Sequence, residues 1–192
     1  IKRSAGRIDF EDVLLLTVGV LEDRDDLRRQ VQASFAHFTV DEYQDVSAVQ
    51  ERLLRVWLGD RDDVCVVGDV VQTIYSFVGA DPSHLLQFGS RFDDARVISL
   101  NRCYRCTPQI VQVAEDVLSG GVVSAQLLST TKARRVPLRS QVDDGPIPAV
   151  VQYTDEASEA AAVVTQIGKL IAAGTSPREI AILVRINALT EQ

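Results

Sequence analysis

Phe38-Thr39-Val40-Asp41-Glu42-Tyr43-Gln44-Asp45 opens with three residues suited to a buried strand and closes in a cluster of carboxylates. Aromatic and β-branched side chains fit a pleated surface, so the strand is expected to end at Val40. Open parallel sheets take ligands beyond the carboxyl ends of their strands, which is where Asp41 and Glu42 fall. A carboxylate there suits Mg²⁺, a hard ion that prefers oxygen ligands and bridges nucleotide phosphates; Asp41 is the candidate metal ligand. Glu42 is the candidate to orient or deprotonate an attacking water. The same carboxylates also suit the start of a helix beginning near Val46, whose dipole favours negative charge. On these eight residues alone the two readings weigh equally.

Working outward, Val46, Val49, Leu53, Leu54 and Trp57 recur at helical spacing and stop near Gly59. A second apolar run, Val64-Cys65-Val66-Val67, follows. Strand, helix, strand with short joints predicts a parallel crossover unit, with Gly68-Asp69 opening on the same edge as Asp41-Glu42. Upstream, residues 10–21 predict an amphipathic helix with Val13, Leu14, Leu16, Thr17 and Leu21 on one face, and residues 25–35 a second helix.

Downstream, residues 82–92 predict a helix and residues 96–100 a strand, with a domain boundary near residue 95. The halves differ in charge: residues 1–95 carry ten Lys/Arg against eighteen Asp/Glu, residues 96–192 ten against nine. Thr107-Pro108 starts a helix expected to end near Gly120. Residues 119–148 predict an irregular connection, whose basic stretch at 132–139 reads as a solvated loop before it reads as a DNA contact. A strand at 149–153, an alanine-rich helix and a strand at 180–184 make a second α/β unit.

The 192 residues are 46% apolar and 24% charged, the balance of a folded domain or two modest ones. The net charge of −7 argues against broad capture of phosphate backbones, so any nucleic-acid contact is expected in a local groove. No apolar run approaches membrane-spanning length. The ends, with no initiator Met, are expected to be cut points in a longer protein. Three cysteines fit a reducing compartment, expected to be the cytoplasm. Cys103 and Cys106 have the spacing of a redox pair or zinc half-site, but zinc needs four ligands and only His37, His84 and Cys65 remain to complete it, so metal binding there is not expected.

Val40 to Asp45 resembles the second motif of UvrD/Rep-like superfamily 1 DNA helicases. Gly68-Asp69-Val70-Val71-Gln72-Thr73-Ile74-Tyr75-Ser76-Phe77-Val78-Gly79-Ala80 is similar to their third motif. Leu100-Asn101-Arg102-Cys103-Tyr104-Arg105-Cys106-Thr107-Pro108 resembles their fourth, and residues 180–188 the strand after it. The resemblance implies an α/β fold made of parts of two RecA-like domains, residues 1–95 and 96–192, with P-loop NTPase-type parallel sheets and flanking helices. It implies ATP and Mg²⁺ as cofactors, and single-stranded DNA and duplex/single-strand junctions as partners. By the same resemblance Gln72 senses the terminal phosphate, Tyr104 stacks on adenine, and Arg105 is an arginine finger. Tyr75 and Phe77, two apart, would stack on unpaired bases; without the resemblance they read as core aromatics.

The chain departs from that pattern at Cys103, where Asn is usual, at Cys106, where Ser is usual, and at Val78, where Arg is usual. It contains no glycine-rich loop ending in Gly-Lys-Ser or Gly-Lys-Thr. The expectation is therefore a piece of a helicase or translocase, inactive by itself, from a protein acting in DNA repair or replication. The alternatives are a non-catalytic helicase-like interaction module and the motor part of a RecB-like helicase-nuclease.

Overall fold

The computed structural model describes residues 7–75, 77, 79–92, 94–120 and 136–184. They fall into two compact units, Ile1–Gly145 and Pro146–Gln192.

The first unit begins with two helices, α1 (Phe10–Asp23) and α2 (Asp25–Ser34). Asp9 caps α1 in a reciprocal box: its carboxylate accepts from the Asp12 amide and the Asp12 carboxylate from the Asp9 amide, both at 3.0 Å. Because α1 is apolar on nearly every side, only one stripe can face the protein. Val18 and Leu21 are buried with Leu14 beside them, while Val13 and Leu16 of the expected face point outward.

Chain then enters β1 (Phe38–Val40), helix α3 (Ala48–Leu58) and β2 (Val64–Val66). β1 and β2 pair in parallel, with Phe38 opposite Val64 and Val40 opposite Val66, as the crossover reading requires. Leu53 of α3 completes the core with Val18 and Leu21, flanked by Val31, Val56 and Trp57. Each such fully buried aliphatic side chain contributes about 1.5–3 kcal/mol. Trp57 stacks on both Phe35 and Phe38 at ring separations of 6.1 Å. Arg61 ties the ends of α2 and α3 together, donating to the carbonyls of Phe35 at 2.8 Å and Trp57 at 2.9 Å. Gly59 ends α3 at φ +63, a conformation costly for other residues.

Beyond β2 the expected helix over 82–92 divides into a short helix, α4 (Ser83–Leu86), and a 3-10 turn at Phe88–Ser90. Gly89, a poor helix former, lies in that turn. The strand expected at 96–100 does not form. Instead β3 (Arg102–Cys103) pairs in parallel with β4 (Arg139–Ser140), inside the stretch expected to be irregular. Helix α5 (Pro108–Gly120) lies between them in sequence, starting and ending as expected.

In the second unit the alanine-rich helix forms as α6 (Glu156–Ala172), capped by the Asp155 carboxylate on the Ser158 amide at 2.7 Å. The flanking runs 149–153 and 180–184 are not strands. A strand needs a neighbour for its backbone hydrogen bonds, and no described strand pairs with either. Where larger RecA-like sheets were expected, the described residues hold two separate two-stranded parallel pairs. The compact division at Gly145 also lies away from the boundary expected near residue 95. Of the basic stretch, residues 132–135 lie outside the described residues.

Candidate functional site

The parallel pairing of β1 and β2 continues one step past both strands. Val67 donates its amide to the Val40 carbonyl at 2.8 Å, and Tyr43 donates to the Val67 carbonyl at 2.9 Å. This sets the Asp41–Asp45 turn directly beside Gly68-Asp69. Helix α3 does not begin on the acidic cluster. Its cap is Ser47, whose amide donates to Gln50 at 2.8 Å, so Asp41 and Glu42 are not its caps.

Asp41 is exposed and turns one carboxylate oxygen onto the Glu42 amide at 2.9 Å. Its other oxygen has no protein partner among the described residues, which fits a single-carboxylate Mg²⁺ ligand completed by water and phosphate. No cluster of three or more metal-ligating side chains occurs among the described residues. Glu42 adopts φ 51 and ψ 41, the left-handed region. For a residue with a Cβ this costs about 1–2 kcal/mol, so its surroundings must hold it.

Gln44 does the holding. It is only 1% exposed. Its amide nitrogen donates to the Glu42 carboxylate at 2.7 Å and its carbonyl oxygen accepts the Asp69 amide at 3.0 Å. The Asp69 carboxylate accepts from the Val71 amide at 3.1 Å and from the Gln72 side chain at 2.9 Å. Glu42, Gln44, Asp69 and Gln72 therefore form one hydrogen-bonded chain across the two strand ends. Gly68 makes room for it: a Cβ there would sit 2.6 Å from the Gln44 carbonyl oxygen.

Beneath the turn, Tyr43 is fully buried and donates its hydroxyl to Glu51, which is 3% exposed. Glu51 also receives Arg55 at 2.9 Å and pairs with Arg91. Burial pushes the Glu51 carboxyl up, but the Tyr43 hydroxyl and the two guanidiniums outweigh it and hold it below its ordinary value. Burial, then the Glu51 carboxylate, pushes the Tyr43 hydroxyl far up. These groups line an open cavity of about 400 Å³ with Leu54 and Phe88.

Tyr75 and Phe77 are exposed, at 48% and 81%, with ring centroids 6.2 Å apart and planes tilted by 44°. They are not core aromatics. The chain after them is pinned by an antiparallel bridge from Ala80 to Ser47 and by Asp81 donating to the Val46 carbonyl at 3.2 Å. Tyr104 is 70% exposed in the turn after β3, and Arg105 beside it is exposed. Arg105 pairs with no carboxylate among the described residues, so a surface ion pair does not account for it.

Asp41, Glu42 and Gln72 thus share one sheet edge, Tyr75 and Phe77 stand on the loop leaving it, and Tyr104 and Arg105 belong to the β3–α5 turn. Sequence reasoning missed Gln44 and Glu51 as organisers. For Gln44 the signal was its place inside the acidic cluster; for Glu51 it was the spacing of four to Arg55.

Residues 2–93 match the UvrD/REP helicase N-terminal domain. Over 184 residues, 96% of the chain, it is 46% identical to the ATP-dependent DNA helicase UvrD2 of Mycobacterium tuberculosis, covering 25% of that protein. It is 32% identical over 187 residues, 97% of the chain, to the putative ATP-dependent DNA helicase YjcD of Bacillus subtilis, covering 24% of it. The ATP-dependent DNA helicase PcrA of Staphylococcus epidermidis matches at 31% over 184 residues, 94% of the chain and 24% of the relative. The chain spans about a quarter of the length of these relatives. No helix among the described residues is long and apolar enough to cross a membrane.

Proposed function

We propose that this chain is part of a UvrD-like helicase motor that couples Mg²⁺-ATP hydrolysis to movement on single-stranded DNA. The observation that carries the reading is the hydrogen-bonded chain from Glu42 through Gln44 and Asp69 to Gln72. It links a candidate water-activating carboxylate to a candidate phosphate-sensing amide at the edge where parallel sheets bind ligands.

In this reading Asp41 holds the metal, and bound Mg²⁺-ATP supplies a polarised terminal phosphate. Glu42 takes the proton of the attacking water, Gln72 contacts the terminal phosphate, and its link to Asp69 passes that contact to the loop bearing Tyr75 and Phe77. Those two rings stack on bases of single-stranded DNA, at junctions with duplex. Tyr104 stacks on adenine, and Arg105 stabilises charge on the transferring phosphoryl group. The end of the matched domain at residue 93 supports a boundary near 95 between two RecA-like parts. With no Gly-Lys-Ser or Gly-Lys-Thr loop in the 192 residues, the chain alone is inactive.

The test is Glu42→Gln in the whole protein. ATP binding is expected to stay within about twofold while DNA-stimulated hydrolysis falls by about 10² or more, the scale of general base catalysis. Unchanged turnover would remove Glu42 from the role of base.

A further inference from the structure

Cys103 and Cys106 stand outside the hydrogen-bonded chain of the sheet edge. Both are free and partly buried at the ends of the four-residue turn that joins β3 to α5. Ser140 holds both ends of that turn. It lies opposite Cys103 in the β3–β4 pair, and its hydroxyl donates to the Cys106 carbonyl at 2.7 Å. Next to it, Gln141 donates its amide to the Cys103 carbonyl at 2.8 Å. The turn folds back on itself, so that the Cys106 amide reaches the Cys103 sulfur at 3.4 Å. Anchored this way, the turn holds Cys106 against the Cys103 sulfur.

The two thiols are not equivalent. The amides of Cys106 and Arg105 hold the Cys103 thiol below its ordinary value, favouring its thiolate. Burial, followed by the neighbouring Cys103 sulfur, pushes the Cys106 thiol up. One attacking and one resolving cysteine is the division of labour that thiol exchange needs. Zinc does not account for the pair, because no third metal-ligating side chain joins it among the described residues.

We propose that Cys103 and Cys106 are a redox-active dithiol that closes reversibly to an intramolecular disulfide by exchange with a small disulfide of the glutathione type. The Cys103 thiolate attacks one sulfur of the reagent; the reagent's S–S bond breaks and one glutathione thiolate leaves, forming a mixed disulfide. Cys106 gives its proton to solvent and attacks the Cys103 sulfur. The mixed disulfide then breaks and releases the second glutathione. Two protein thiols are oxidised, and one glutathione disulfide is reduced to two thiols. The ring so formed encloses Tyr104 and Arg105. On the reading of those two as nucleotide ligands, on which this consequence alone rests, closure constrains the nucleotide site.

The experiment equilibrates the protein in glutathione buffers of stepped ratio, traps free thiols with iodoacetamide and counts the added groups by intact mass. The expected result is a species lacking two alkyl groups, with Cys65 still alkylated, that disappears in Cys103→Ser and in Cys106→Ser. The folded protein should close with an equilibrium constant on the order of tenfold larger than the urea-unfolded chain, since the fold presents the sulfurs together. Equal closure in both states overturns the proposal, as does a glutathione adduct on Cys103 that never resolves. In the whole protein, an Arg105→Ala variant with undiminished ATP turnover would sink the reading of the nucleotide site and leave the thiol result intact.

Discussion

Gln44 uses both ends of its amide, one on the Glu42 carboxylate and one on the Asp69 backbone, and its burial keeps water from substituting. A hydrogen bond to a charged group contributes about 1.5–3 kcal/mol. Gln44→Ala is therefore expected to lower ATP turnover in the whole protein by about 10- to 100-fold if the bond matters most in the transition state. Nucleotide affinity should hold, because Asp41 and its free oxygen are untouched. Gln44→Glu should not rescue turnover, since it sets a carboxylate against Glu42. Loss of affinity and turnover together would show that Gln44 only holds the turn's shape. At this scale the position of Asp41 and Glu42 just past a strand end was legible because strand ends and carboxylates are local features of the sequence. Gln44 was not, because its second partner, Asp69, is 25 residues away and only the β1–β2 register brings it near.

Between elements, buried Tyr43 and Glu51, joined by partly buried Arg91 and exposed Arg55, tie the acidic turn to α3 and to the segment after α4. Glu51→Ala leaves the buried Tyr43 hydroxyl without its acceptor and Arg91 without its ion-pair partner, so it is expected to destabilise by about 1–3 kcal/mol, read by urea unfolding. The pH dependence follows from the directions of shift. Glu51 is held below 4.5 in the fold, so its contribution is present above pH 4.5 and is lost as pH falls through the folded value. Tyr43 is held above 10.0, so its contribution is present below pH 10.0 and lost as pH rises beyond it. A stability profile of Glu51→Gln should lack the acid-side loss assigned to this group. If its acid limb matches the parent's, other carboxylates set that limb.

The loop that carries Tyr75 and Phe77 differs in kind, since its rings are exposed. A Tyr75→Ala, Phe77→Ala pair is expected to leave stability within about 0.5 kcal/mol, the usual range for surface substitutions. Single-strand binding should weaken by about 2–6 kcal/mol, from 1–3 kcal/mol per stacked base. Equal binding by parent and variant in a fluorescence titration would take the rings out of the DNA site.

At the scale of the whole molecule, the run from α1 to β2 was legible because its elements bury one another. Helix α3 crosses between β1 and β2 and shares its apolar face with α1, so periodicity, turn residues and packing agree. Residues 96–100, 149–153 and 180–184 have equally strand-like composition, yet Val150 and Leu183 are 94% exposed. Sequence pattern predicts what a segment would do beside a suitable neighbour, and these three have no paired neighbour among the described residues. If they belong to one sheet of a second RecA-like part, their amides should exchange with solvent within seconds in the 192-residue chain, while those of Val66 and Val67 stay protected. In the whole protein the three segments should gain about 10³-fold or more in protection, corresponding to about 4 kcal/mol of local stability. Hydrogen exchange read by mass spectrometry distinguishes the cases. Rapid exchange of all three segments in the whole protein would exclude the shared sheet and with it the boundary near residue 95.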